Sequence, residues 1–159
     1  MITKGELKTV EQETRLGWLG LLALTAKAYR FHFVTEGKKT LAPPVVVLLL
    51  ANPDEAAGLC EAIQATGVSA GIAKNSQEAC MLTADEKVKV FVVDEAFVKS
   101  ASDCWQFRKD RILPIAVIGS SREREGWERV VNIEADGYLS KGTSLSEQAA
   151  RIKAMLRRY

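Results

Sequence analysis

The chain has 159 residues, 47% hydrophobic and 26% charged, with 11 Gly and 4 Pro, a composition that excludes a disordered, collagen-like or disulfide-stapled protein. Twenty-two Lys/Arg against 20 Asp/Glu leave a net charge of +2, too little for a nucleic-acid or membrane electrostatic footprint. With one histidine, His32, and three cysteines, Cys60, Cys80 and Cys104, that form no C-x-x-C pair, neither a two-histidine zinc site nor a metal or redox cofactor is expected, and the thiols read as free in a reducing cytoplasm.

Residues 1–43 carry seven Lys/Arg and four Asp/Glu. Thr9 and Gln12 stand in capping-box spacing before a predicted helix over about residues 10–28. Leu16, Leu19, Leu22 and Ala23 make its apolar stripe, and Trp18, Leu21 and Leu24 broaden it. The run from Gly17 to Leu24 before Ala26-Lys27-Ala28 is similar to the end of a signal peptide. A signal peptide needs a positive start, however, and Glu6, Glu11 and Glu13 offset Lys4, Lys8 and Arg15. No stretch reaches the roughly 18 apolar residues of a membrane span. Tyr29 to Thr35 alternates aromatics around His32, which predicts a short strand or extended arm. Pro43-Pro44 then makes a seam, because proline neither continues a helix nor donates in a central strand. The expected organisation is an N-terminal helix and arm over 1–43 and an α/β domain over 44–159.

Beyond the seam, apolar runs alternate with amphipathic stretches. Val45 to Leu50 is short and wholly apolar, as in a strand buried on both faces of a parallel sheet. Asn52-Pro53-Asp54-Glu55 starts a helix with Asn as cap, Pro at the first helical position and acids in the first turn. Ala56, Leu59 and Ile63 share its inner face, and Gly67 stops it. Val68 to Ala73 predicts a second strand, Ser76 the cap of a helix to about Thr83, and Val88 to Val93 a third strand ending at Asp94. A weaker helix near Ser102–Lys109 precedes a fourth strand, Leu113 to Ile118. A helix over about Arg122–Ile133 is expected to bury Trp127, Val130 and Val131. Gly137 to Ser140 forms a fifth strand. Ser144 and Glu147 open a last helix that buries Leu145, Ala149, Ile152 and Leu156. Five strands alternating with five helices predict a doubly wound α/β fold with its site at the C-terminal strand ends.

At those strand ends residues 44–159 resemble the receiver domain of two-component response regulators, a flavodoxin-like (βα)5 fold. The most specific stretch is Ala135-Asp136-Gly137-Tyr138-Leu139-Ser140-Lys141, which is similar to the family's fifth strand and its lysine. The resemblance implies that Asp94, after Val90-Phe91-Val92-Val93, stands at the phospho-acceptor position, Lys141 at the receiver lysine and Tyr138 at the switch aromatic. It also implies a partner or dimer face on the fourth helix, fifth strand and fifth helix, where Trp127 and Tyr138 are the candidate interaction residues. Trp18 is the candidate in the N-terminal segment.

Several positions depart from the pattern. The family's two metal-holding acids fall on Leu50 and Ala51, the Thr or Ser closing the fourth strand falls on Gly119, followed by Ser120, and Lys-Pro becomes Lys141-Gly142. Phosphoryl transfer depends on neutralising the equatorial oxygens by metal and lysine, and magnesium takes carboxylate ligands. With Leu and Ala there, Asp94 has no carboxylate partner. Glu95 is expected to point to the other side if the chain stays extended, and Asp54 and Glu55 are accounted for by the helix start. Asp94 and Lys141 are expected to form a structural salt bridge and Tyr138 to be an ordinary strand tyrosine. Ser121 to Arg129 reads as a solvated helix face, against an anion site of Ser120, Ser121, Arg122 and Arg124 at a helix N-terminus.

The expected function is an atypical, pseudo-receiver signalling module. It acts by protein–protein contact without phosphorylation, is not an enzyme, works in the cytoplasm and binds neither nucleic acid nor membrane. One alternative is a conventional phospho-accepting regulator using Asp94. Another is a nucleotide- or RNA-binding α/β module: Leu22 to Ala28 ahead of a valine-rich strand and Ala51-Asn52-Pro53-Asp54 resemble the kink-turn RNA-binding ribosomal-protein fold. Near-neutral charge and the Gly137–Lys141 stretch argue against it. The apolar stripe of residues 16–24 needs a covering surface, and a homodimer joined partly through it is expected. Removing residues 1–43 should therefore change association more than the fold of 44–159, as read by analytical ultracentrifugation of both chains. Two monomers of unchanged core stability would contradict this.

Overall fold

The computed structural model describes residues 44–159; the helix and arm expected over 1–43, with Trp18 and His32, lie outside the described residues. The elements follow in strict alternation: β1 (Val46–Leu49), α1 (Pro53–Ala65), β2 (Ala70–Ile72), α2 (Ser76–Thr83), β3 (Val90–Asp94), a 3-10 turn (Glu95–Phe97), α3 (Ala101–Arg108), β4 (Ile115–Gly119), α4 (Glu123–Asn132), β5 (Gly137–Ser140) and α5 (Leu145–Leu156). The strands form one sheet in the order β2-β1-β3-β4-β5, every pairing parallel. This is the flavodoxin-like doubly wound fold, in which the order reverses between β1 and β3 and opens a crevice at their C-terminal ends.

The wholly apolar strands are explained by a core on each face. Side chains alternate along a strand, so Val46, Leu48, Val90, Val92, Ala116, Ile118 and Leu139 face one way. They pack with Leu59, Cys60 and Ile63 of α1 and Ala149 and Ile152 of α5. Val47, Leu49, Phe91, Val93, Ile115, Val117 and Tyr138 face the other way, with Ala79, Cys104, Phe107 and Val130 of α2, α3 and α4.

The local signals work as their chemistry requires. Asn52 Oδ1 accepts the N–H groups of Asp54 (2.9 Å) and Glu55 (3.4 Å), and Pro53 takes the first helical position. Gly67, at φ 85°, supplies the left-handed turn after α1. Lys153 Nζ donates to Thr66 O (2.9 Å), binding the end of α1 to α5.

Some boundaries and faces differ from the sequence expectation. Asn75, not Ser76, caps α2, its Oδ1 accepting from Glu78 N at 2.8 Å. α3 starts at Ala101 because Ser100 and Asp103 form a capping box. β4 runs from Ile115 to Gly119, with Leu113 and Pro114 buried just before it. Trp127 is 44% exposed, Val131 73% and Leu145 43%, so α4 and α5 bury narrower stripes than their apolar residues suggested. Leu59, by contrast, is 1% exposed between α1 and the sheet. Leu59→Ala should lower stability by about 2–5 kcal/mol, and Val131→Ala by less than about 0.5 kcal/mol, in urea titrations of the two variants.

Candidate functional site

β3 ends in a carboxylate that the fold buries. Asp94 is 2% exposed, at the C-terminal edge of the sheet where the β1/β3 crevice opens. Three groups from three places meet it. Lys141 Nζ, just beyond β5, donates to Oδ2 at 2.8 Å. Ala51 N–H, after β1, donates to the same oxygen at 3.3 Å. Ala96 N–H, in the 3-10 turn, donates to Oδ1 at 3.1 Å. Lys141 also pairs with Glu55 Oε2 at 3.4 Å, so the acidic first turn of α1 serves the strand-end site as well as its own helix. Lys141 itself is held in place by its N–H donating to Gly119 O at 2.8 Å.

The electrostatics follow from this arrangement. Burial alone pushes the Asp94 carboxyl up. The Lys141 hydrogen bond, the Ala96 and Ala51 amides and the Lys141 charge together outweigh it and hold the group below the ordinary aspartate value. Lys141 is raised above the ordinary lysine value, first by its hydrogen bond to Asp94, against the opposing effect of burial.

The end of β1 supplies no carboxylate for a divalent cation beside Asp94. Leu50 packs in the core face shared with α1 and is 7% exposed, and Ala51 contributes only an amide to Asp94. Both Asp94 oxygens already accept hydrogen bonds, and no group of three or more metal-ligating side chains occurs among the described residues. Magnesium is commonly held by one or two carboxylates plus waters, and here the carboxylates near the strand ends, Asp94 and Glu55, are both paired with Lys141.

Glu95 faces the opposite side from Asp94, toward α4, although the chain does not stay extended there. The chain turns into the 3-10 helix after Asp94, and the Glu95 carboxylate lies across the end of β4. Its Oε1 accepts from Ser120 N–H at 3.1 Å, and its Oε2 pairs with Arg129 of α4 at 2.6 Å. The sequence offered the opposite facing of the two adjacent acids but not the partners of Glu95, which are 25 and 34 residues away. A Cβ on Gly119 would lie 2.4 Å from Glu95 Oε2 and 3.0 Å from the Tyr138 hydroxyl. Of the anion-site candidates Ser120, Ser121, Arg122 and Arg124, Ser120 has its N–H committed to Glu95, an anion supplied by the chain itself.

Tyr138 is 2% exposed, which corrects its reading as a contact residue of an outer face. Its hydroxyl donates to Ser121 O at 2.9 Å, and its ring occupies the place where a side chain on Gly126 would be: a Cβ there would fall 2.1 Å from Tyr138 Cε1. Burial first, then the Glu95 charge, push its phenol pKa up. Trp127 is half-exposed beside a groove between α4 and α5 that Arg151, Ala154, Met155 and Arg158 also line. The basic residues Arg108, Arg129, Lys141 and Arg151 are paired with Asp136, Glu95, Asp94 and Glu123 respectively.

The sequence matches no protein-family model and no curated protein, whereas solved structures match it in fold. A response regulator from Thermotoga maritima superposes with a TM-score of 0.62 at 21% identity, over 73% of this chain and 99% of that one. A two-component response regulator from Clostridium difficile gives 0.58 at 24% identity, over 72% and 97%. The receiver domain of a Francisella response regulator gives 0.58 at 21% identity, over 72% and 98%. The fold of residues 44–159 is that of response-regulator receiver domains.

The Asp94–Lys141 pair has a defined pH window. The lowered Asp94 pKa contributes stability above about pH 4, the unfolded aspartate range, which is lost as pH falls through the folded value. The raised Lys141 pKa contributes below about pH 10.4 and is lost as pH rises through its folded value. At pH 7 Lys141→Met should cost about 3–5 kcal/mol, since it leaves a buried charge unpaired. Asp94→Asn with Lys141→Met should cost less than Lys141→Met alone. Urea titrations of both variants at pH 3, 7 and 11 check this, and the penalty of the single variant should be smallest at pH 3.

Proposed function

We propose that residues 44–159 form a receiver-like signalling module that acts by protein–protein contact and does not depend on phosphorylation of Asp94. One observation carries the reading. The Asp94 carboxylate is satisfied by Lys141 and two backbone amides, and the neighbouring positions at the β1 end are a core leucine and an alanine. Transfer of a phosphoryl group to Asp94 requires its charge to be neutralised in the transition state. Each 1.36 kcal/mol of that stabilisation lost slows transfer about tenfold. Lysine alone leaves the metal's share unsupplied.

In this reading the chain is not an enzyme, and its contacts are made by exposed side chains around the α4–α5 groove. Trp127 with Arg151, Met155 and Arg158 combines an aromatic with basic and apolar neighbours, a composition common in protein interfaces. A cytoplasmic setting accords with Cys60, Cys80 and Cys104, all unpaired.

Incubating the full chain with acetyl phosphate and magnesium should leave its intact mass unchanged. A stoichiometric phosphoryl adduct that disappears in Asp94→Asn would overturn the reading in favour of a conventional phospho-accepting regulator.

A further inference from the structure

The three-residue connection between β4 and α4, with the glycine that precedes it, is tied at every residue. Gly119 O accepts from Lys141 N–H at 2.8 Å, Ser120 N–H donates to Glu95 at 3.1 Å, Ser121 O accepts from the Tyr138 hydroxyl at 2.9 Å, and Arg122 O accepts from Gly126 N–H at 2.9 Å. Two of these ties come from side chains, and both side chains depend on missing ones. The Glu95 carboxylate lies where a side chain on Gly119 would stand, and the Tyr138 ring lies where a side chain on Gly126 would stand. Arg129, on the helix that the connection leads into, completes the arrangement by pairing with Glu95.

We propose that Glu95 is an internal anionic clasp: by holding Ser120 N–H and Arg129 at once, it fixes the β4–α4 connection and keeps Tyr138 buried in the Gly126 notch without any bound ligand. The physical reason is that an exposed backbone N–H at a strand end and a nearby guanidinium together attract an anion, and here the chain supplies one from the residue after Asp94. Once Ser120 is fixed, the Ser121 carbonyl is presented to the Tyr138 hydroxyl, and a buried phenol without that partner would be left unsatisfied. The surface of α4, including Trp127, is thereby set in one state. The inference deepens the reading of a phosphorylation-independent module and rests on it for its biological sense, but its test does not pass through phosphate.

The full chain is labelled with 3-fluorotyrosine, and the Tyr138 fluorine resonance is assigned by its loss in Tyr138→Phe. Gly126→Ala, whose Cβ displaces the ring, gives the position of an outward Tyr138. In the unsubstituted chain, without phosphodonor, Tyr138 should give one resonance at the buried position. Glu95→Ala should shift or split it toward the Gly126→Ala position, with an outward population of about 10% or more. Arg129→Met should act in the same direction and more weakly, because Ser120 N–H keeps its acceptor. If Glu95→Ala is unfolded by circular dichroism, Arg129→Met decides alone. A single, unmoved Tyr138 resonance in the folded variants would overturn the clasp, as would two resonances in the unsubstituted chain. A phosphoryl adduct on Asp94 in the separate acetyl phosphate experiment would instead overturn the functional reading and leave the clasp result standing.

Discussion

A single negative charge organises the C-terminal edge of the sheet. Asp94 closes β3, the central strand, at a depth where solvent reaches 2% of it. A carboxylate in such a place has to be met by donors, because attraction and desolvation both grow as the surroundings become less polar. The donors come from every direction the topology allows: β1 sends the Ala51 amide, the turn after β3 folds back its Ala96 amide, and β5 ends in Lys141. β5 is two strands away, so the pair also ties the register of β3, β4 and β5 at their ends. The same lysine reaches Glu55 of α1 and, through its N–H, Gly119 of β4.

The alternation of side chains then divides two consecutive acids between two tasks. Asp94 lies on the α1/α5 side with Lys141 and Glu55, and Glu95 lies on the α4 side with Arg129 and Tyr138. The 3-10 turn makes this division sharp, because it ends the strand immediately after Asp94 and swings Glu95 over β4. One carboxylate neutralises a buried site, and its neighbour holds a loop. Both charges are absorbed within the protein, by Lys141 on one side and Arg129 on the other.

Glycine has an unusual part in this. At Gly119 and Gly126 the backbone conformations are ordinary, and what matters is the space a missing Cβ leaves. Tyr138 fills the notch under α4 that would otherwise be closed by a helix side chain. With the ring beneath Gly126, α4 buries only Gly126 and Val130, and Trp127 and Val131 remain outside.

The order of strands and helices was legible in the sequence, because short apolar runs, caps and turn residues are local signals and every one of the five strands carries them. Asn52-Pro53, Ser144 and the Gly137–Ser140 strand act as the residue types alone imply. Asp94 and Lys141 were legible as a pair through the pattern of strand ends and the family resemblance. What only the tertiary structure decided is what faces what. Periodicity places Trp127 and Val131 on a helix but cannot tell that Tyr138, twelve residues beyond Gly126, takes the space a side chain there would fill. Sequence adjacency places Glu95 beside Asp94 but cannot tell that a turn sends it to Ser120 and Arg129, 25 and 34 residues away. Local sequence dictates backbone conformation, whereas the environment of a side chain depends on residues that meet only after the sheet has formed.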